Sequence, residues 1–478
     1  MSLPVDGQTR YTRDVRELLR RHRIFFLLFA AAALGLRLLF FWKLRLIEGD
    51  SFIYGELAKN LLQHHTLGFS DGSRVTPSLI RLPGYPAFIA LVWLFAGIEH
   101  YHAVLLTQIA VDLGTCFLIA ALARDLVGER AARWAFALAA LCPFFANAAT
   151  TPLAETLAIF FTTLTFYCAA RACAGQDDLR WWAGCGAAVA ASIFLRPDGG
   201  VLLAALGAYF AVRLGRSRAV RGGMKRVFLA GVLVAAVALG PLVPWTVRNW
   251  RVFHVFQPVA PRYANDPSEF VTYGYFLWTK TWLIDYVSVE EFSWTVPGEE
   301  VDPDKLPTRA CDSEEQCRRT RELFDDYNAD DHQMSPELDA RFAALARERI
   351  SGHWFRQYAE LPALRAADMW FRPRTELLPL DNHWWDYEND PHDSLIGIAL
   401  GVLNLLYVGG AVMGAATRRV RLAGLMLTWV LFRTVLLGTL EGAESRYTLE
   451  CFPVVIVFAA AWLGSARRTR QTDEPQPA

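Results

Sequence analysis

Ten apolar stretches dominate this sequence, at residues 24–42, 103–123, 132–147, 156–172, 181–196, 200–214, 227–246, 394–415, 422–440 and 450–464. A hydrocarbon core of about 30 Å takes about 20 mostly apolar helical residues to cross. Inside lipid every backbone N–H and C=O must be satisfied within the segment, which a helix does by itself. The runs therefore predict an all-α polytopic membrane protein of about ten transmembrane helices. Residues 1–247 form an N-terminal module of about seven spans, and residues 394–478 form a C-terminal module of about three spans with a tail. A composition that is 53% hydrophobic agrees, since a soluble chain this apolar would expose too much apolar surface.

Loop charge sets the orientation, because Lys and Arg of short loops accumulate on the cytoplasmic side. Basic clusters fall at Arg10, Arg13, Arg16, Arg20, Arg21 and Arg23; at Arg124, Arg130 and Arg133; and at Arg213, Arg216, Arg218, Arg221, Lys225 and Arg226. Two more are Arg418, Arg419 and Arg421, and Arg467, Arg468 and Arg470 in the tail. Ten spans put all of them on one side, together with both termini, and an odd count would not. With no cleavage site after the first apolar run, that run reads as a retained helix. The expected location is the bacterial inner membrane, with both termini cytoplasmic.

Residues 43–102 and 248–393 then lie outside the cytoplasm. The formal net charge of zero is a cancellation: residues 251–393 carry 28 acidic against 15 basic side chains, a balance of −13. Such a balance excludes a globally basic nucleic-acid binder, and no nucleic-acid partner is expected. The segment 248–393 reads as an acidic, mainly helical extracytoplasmic domain. Within it Phe342, Leu345, Ile350, Trp354, Tyr358 and Leu361 recur at helical spacing. Cys311 and Cys317 lie close together in this polar region, where oxidation is permitted, and a disulfide is expected. Cys116, Cys142, Cys168, Cys173, Cys185 and Cys451 sit in or beside spans as small apolar packing residues.

The first outer loop holds the chemistry. After the first span, Ile53, Leu57 and Leu61, with Tyr54 and Leu62, make the apolar stripe of a short interfacial helix, while Glu56, Lys59, Asn60 and Gln63 face elsewhere. Asp50 stands at its start and has two readings: a helix N-cap, or a general base at the membrane surface. Residues 68–91 are punctuated by Gly72, Pro77, Pro83, Gly84 and Pro86, which predicts a turned rather than helical backbone around Arg81. Arg81 is either an interface anchor or a phosphate ligand that also tunes Asp50.

Together these residues resemble the membrane glycosyltransferases of the GT-C superfamily. The likeness is strongest to the bacterial branch related to protein O-mannosyltransferases and the lipid A aminoarabinose transferase. Three further stretches carry it: PWTVRNWRVF from Pro244 to Phe253, SRYTLECFP from Ser445 to Pro453, and TTPLAETL from Thr150 to Leu157, which holds Glu155. The resemblance spans roughly residues 24–253 and 394–464. It implies transfer of a sugar from a polyprenyl-phosphate donor to the hydroxyl of a lipid, glycan or protein acceptor, with inversion. It implies Asp50 as the base and Arg81, Arg248 and Arg446 on the donor phosphate, since an Arg fork meets phosphate oxygens bidentately. Glu155, Asn249, Tyr85 and Tyr447 are the implied substrate contacts. Many members have two adjacent acidic residues at the catalytic position, whereas Asp50 here precedes Ser51, and Glu48 lies two residues earlier.

For each of these arginines the plain alternative is an interface anchor paired with a nearby acid. Arg37, Asp112 and Arg433 lie within spans and should face the bundle interior, as structural ion pairs or else lining a carrier-lipid or substrate groove, and Arg196 with Asp198 reads as a local salt bridge, with a substrate contact as the other option. The acidic stretch with Asp381, His383, Asp386, Glu388, Asp390, His392 and Asp393 reads as a solvated loop. No cofactor is expected, although a divalent metal stays compatible with the sequence. A transporter or flippase for lipid-linked sugars is the alternative from another class, but it would call for internal repeats that the chain lacks. An envelope oligosaccharide polymerase or ligase is the nearer one.

Overall fold

A computed structural model describes residues 15–72, 74–217, 223–442 and 444–465. The basic residues Arg10, Arg13, Arg218, Arg221, Arg467, Arg468 and Arg470 lie outside these, as does the side chain of Arg16. The chain is helical almost throughout. In order come α1 (Val15–Arg21), α2 (Arg23–Lys43), α3 (Asp50–His64), a hairpin of β1 (Gly68–Asp71) and β2 (Arg74–Pro77), α4 (Gly84–Ala96) and α5 (Tyr101–Leu126). There follow α6 (Glu129–Ala140), α7 (Pro143–Ala149), α8 (Glu155–Ala174), α9 (Leu179–Leu195), α10 (Gly200–Ser217), α11 (Gly223–Leu239) and α12 (Leu242–Phe253). The polar body contains α13 (Tyr273–Thr279), the single turn α14 (Tyr286–Ser288), α15 (Glu314–Ala329), α16 (Pro336–Gly352) and α17 (Leu361–Phe371). The chain ends with α18 (Pro391–Thr417), α19 (Ala423–Gly438), a 3-10 turn over Ser445–Cys451 and α20 (Phe452–Leu463).

Seven of the described helical segments are long and apolar enough to cross a bilayer, and the pair α6–α7, bent by 54°, makes an eighth. The two remaining expected spans, 181–196 and 422–440, are α9 and α19, apolar helices of 17 and 16 residues. At 1.5 Å per residue each falls short of a 30 Å core. The span expected at 227–246 continues through α12 to Phe253. Pro143 breaks the α6–α7 span, since it opens α7 and cannot continue the hydrogen-bond ladder of α6.

Small side chains let the bundle pack closely. Ala131, Ala132, Ala135 and Ala139 of α6 are buried, and α18 approaches α20 at Gly414, where a Cβ would lie 1.9 Å from the Phe458 carbonyl oxygen. Arg37 and Asp112 form a fully buried ion pair at 2.7 Å. The Arg37 Nη2 also donates to the Ala139 carbonyl at 3.1 Å.

The polar body has its own aromatic core of Tyr275, Trp278, Trp282, Phe324 and Phe342. Buried Arg349 donates to Thr281 Oγ1, the Ala310 carbonyl and Gln316 Oε1, tying three segments together. Cys311 and Cys317 are disulfide-bonded at the start of α15. The expected helical stripe is only half realised. Phe342, Leu345 and Leu361 are buried, but α16 ends at Gly352, and Trp354 and Tyr358 are exposed.

The first loop also departs from expectation in two ways. Residues 68–77 form a β-hairpin, and the chain becomes helical at Gly84, so that α4 occupies a stretch expected to be turned. Gly84 allows this because a Cβ there would meet the Phe194 carbonyl oxygen at 2.5 Å, and the helix can start only against that backbone. On α3, Asn60 is buried rather than outward, and it donates to the Gly68 carbonyl of the hairpin.

Candidate active site

Alternation of the spans brings the starts of α3, α8 and α10, the end of α9 and the Ser445–Cys451 turn to one end of the bundle. A cavity of about 450 Å³ lies there, lined by Asp50, Arg81, Glu155, Arg196, Arg446 and Tyr447 among others. Chain positions up to four hundred residues apart thus converge.

Asp50 is not a helix cap. Gly49, with φ of +48°, occupies the N-cap position, and no side chain caps the helix. The Asp50 carboxylate instead accepts from Arg81 Nη2 at 2.7 Å, and both side chains are partly exposed to the cavity. Burial alone would raise the Asp50 pKa. The Arg81 charge and hydrogen bond, helped by Arg446 and Arg196, reverse this and hold the carboxyl below its ordinary value. Asp50 is therefore ionised at neutral pH. Glu48 is exposed and lies outside the cavity lining.

The opposite wall is a network of charges. Arg196 Nη1 donates to Glu155 Oε1 at 3.0 Å, and its Nε faces Asp198 at 3.3 Å and Glu450 at 3.6 Å. Arg433, fully buried on α19, binds Asp198 at 3.0 Å, Glu450 at 2.8 Å and the Tyr447 carbonyl at 3.0 Å. Arg446 pairs with Glu444 through Nε. The same Nε lies 3.9 Å from Glu155 Oε1, and the side chain lines the cavity. The Tyr447 hydroxyl donates to Glu444, and the Arg196 guanidinium sits 4.5 Å from the Tyr447 ring centre. Glu155 is buried, and its Oε2 has no hydrogen-bond partner among the described residues.

Asp50, Arg81, Glu155, Arg446 and Tyr447 thus come together. Arg248 and Asn249 do not. Arg248 donates to the carbonyls of Ser78 and Leu67, both at 3.0 Å, and stacks on Trp245 and Phe253. Asn249 is fully buried and donates to the Gln257 carbonyl. These contacts tie the residues flanking the hairpin to the chain leaving α12. Tyr85 lies one layer below the cavity, its ring edge-on to Tyr54 and its hydroxyl bonded to Gln108 at 2.5 Å. The residues that sequence reasoning did not place here are Arg433, Glu444, Glu450, Tyr54 and Arg262. Glu444 precedes the Ser445–Pro453 motif and Glu450 lies within it, and two acids at a span end were the available signal. Arg262 lines the mouth and pairs with Glu441 at 2.6 Å. Among the described residues no group of three or more His, Cys, Asp or Glu is arranged to hold a metal.

A family described as dolichyl-phosphate-mannose-protein mannosyltransferase matches residues 80–245, the part that contributes Arg81, Glu155 and Arg196. The fold matches the oligosaccharyltransferase of Archaeoglobus fulgidus, solved with a tethered acceptor peptide, at a TM-score of 0.52 and 12% identity. That match covers 92% of this chain and 49% of the other. The likeness is one of fold, that of a polytopic all-α membrane protein. A second structure of the archaeal enzyme, with an inhibitory peptide and a dolichol-phosphate, matches at 0.50 and 12% identity over 93% of this chain and 50% of the other. ArnT from Cupriavidus metallidurans bound to undecaprenyl phosphate matches at 0.40 and 16% identity, covering 91% and 77%. The chain therefore spans about half the length of the oligosaccharyltransferase it resembles. No curated protein matches it.

Proposed function

We propose that this protein transfers a sugar from a polyprenyl-phosphate donor to an acceptor hydroxyl at the membrane face that carries the polar body, the extracytoplasmic one. The observation that carries the reading is that one cavity is lined by the Asp50 carboxylate, held by Arg81, and by the guanidinium groups of Arg196 and Arg446.

The steps follow from these groups. Asp50 accepts the proton of the acceptor hydroxyl as the oxygen forms its bond to the anomeric carbon. The bond from that carbon to the phosphate oxygen breaks, and the electron pair leaves with the polyprenyl phosphate. Arg446, Arg196 and Arg81 meet the growing phosphate charge, which favours the transition state over the ground state. Arg81 has a second task, since it keeps Asp50 ionised and oriented. Attack from the side opposite the phosphate inverts the anomeric centre. Glu155, with a free carboxylate oxygen beside Arg196, is placed to accept from a sugar hydroxyl. The low dielectric of the spans strengthens each of these contacts.

Purified protein in nanodiscs, incubated with a panel of polyprenyl-phosphate sugars, tests this. Acceptor-dependent release of polyprenyl phosphate is expected with at least one donor, and it should vanish in Asp50→Asn. Release that is equal in that variant would remove Asp50 as the base. Movement of the intact donor between leaflets without release would mark a flippase instead.

A further inference from the structure

The polar body carries one surface that its own chemistry does not explain. On α16 the exposed positions include Glu337, Arg341, Arg347 and Glu348, as a water-facing helix requires. Beyond Gly352 the pattern inverts. From residue 354 to 371 the large exposed side chains are Trp354, Phe355, Tyr358, Leu364 and Phe371, at 67, 62, 68, 42 and 53% exposure. Glu360 is the one exposed charge in that stretch. The opposite side is ordinary protein interior, with Leu361, Arg365 and Met369 buried.

Position explains the inversion. The start of α17 lies against the last turn of α19, where a Cβ on Gly438 would be 2.6 Å from the Pro362 carbonyl oxygen. Arg365 donates to the Gly438 carbonyl at 3.4 Å. Eight residues after Pro362, the Trp370 indole donates to Thr434 Oγ1 at 3.1 Å, one turn further along α19. So α17 descends beside an apolar helix, towards the level of the bilayer. The outward residues Leu431 and Val435 of α19, each 58% exposed, continue the same apolar surface.

We propose that residues 354–371 are a membrane anchor: the aromatic ridge enters the leaflet on the polar body's side, with Leu364 and Phe371 among acyl chains and Trp354 and Tyr358 at headgroup level. Trp and Tyr suit that zone because one end of each ring system is apolar and the other polar. Helices of this kind bind in proportion to the apolar area they bury. Leu436 and Leu440 of the adjoining segment line the cavity, so the anchor also fixes the membrane edge from which a lipid-linked ligand would arrive. The anchor does not depend on the transfer reaction.

The experiment uses full-length protein in phosphatidylcholine nanodiscs, with and without brominated acyl chains. Subtracting the emission of Trp354→Phe from that of the parent isolates Trp354. The expected result is that bromolipid quenches this difference emission and aqueous acrylamide barely does. A triple variant, Phe355→Ser, Tyr358→Ser and Leu364→Ser, should reverse that order while leaving the detergent-solubilised melting transition in place. Acrylamide quenching without bromolipid quenching in the parent overturns the proposal. Shielding of Trp354 from both quenchers also overturns it, and would assign the ridge to a second copy or to a protein partner.

Discussion

Two sets of buried charges in this molecule look alike in sequence and differ in structure. Arg37 and Asp112 meet deep among α2, α5 and α6, where neighbouring carbonyls take up the remaining guanidinium donors. Every Arg37 nitrogen therefore has a partner inside the bundle. The charges around Arg196, Arg433 and Arg446 border a cavity instead, and they leave one Glu155 oxygen without a hydrogen-bond partner among the described residues. Burying charge is costly wherever it happens. A closed set contributes only architecture, whereas an open set holds charge ready for a ligand. This difference separates the two sets where sequence position cannot.

The comparison is sharpest at Asp50. Asp50→Asn is expected to lower the rate of transfer by roughly 10²–10⁴-fold, the usual worth of a general base, with an unchanged melting temperature. A rate within a few-fold of the parent would place Asp50 among the structural charges. Next, Arg446→Ala should lower turnover by about 10²–10³-fold, as loss of one charge-stabilising donor does. Arg446→Lys should recover only part of it, because an ammonium lacks the bidentate fork. Equal kinetics for Lys and Arg at this position would return Arg446 to the anchors.

The closed pair predicts the reverse signature. Arg37→Met alone leaves Asp112 as an uncompensated buried charge and should cost about 3–5 kcal/mol of stability. The folded fraction should keep its specific activity. Adding Asp112→Leu should restore much of the melting temperature, since an apolar pair can replace a buried ion pair. A double variant that stayed as unstable as the single one would show that Arg37 acts through its carbonyl contacts. A smaller effect separates the two tasks of Arg81. With Arg81→Met, burial acts on Asp50 with less opposition and its pKa rises. The acid limb of the rate profile should then move to higher pH, in addition to any loss of maximal rate. An unmoved limb would mean that the Asp50–Arg81 pair does not set the protonation of the base.

Much of this was legible in the sequence because membrane helices announce themselves through length and apolarity. That Asp50, Arg81 and Arg446 sit at span ends was legible from short motifs, and the structure brings them to one cavity. The hairpin and α4 were not, since the start of α4 at Gly84 depends on the Phe194 carbonyl, a hundred residues away. Arg248 shows the converse limit. Its motif resembled a phosphate site, but its donors go to the carbonyls of Leu67 and Ser78, contacts that no local pattern encodes. Arg433 joined the site only when α19 came to lie beside the turn at Tyr447. Trp354 and Tyr358 fitted a helical period, yet the end of α16 at Gly352 turned them outward.

A test beyond both charge sets lies in α17. Asp368 is largely buried in the polar body, and its Oδ2 has no hydrogen-bond partner among the described residues. Burial raises its pKa to about 7, with Asp285 and Glu376 adding to the effect and Arg372 opposing it. In the unfolded chain the same carboxyl titrates near pH 4. Between those values the folded protein holds a proton that the unfolded chain releases, so stability falls as pH rises from about 4 to about 7 and then levels. Asp368→Asn removes the ionisation and keeps the shape. Its melting temperature should exceed the parent's at pH 8, with the gap closing as the pH approaches 4. A gap of constant size across that range would mean that Asp368 is ionised in the fold, and would move it from the strained acids to the paired ones.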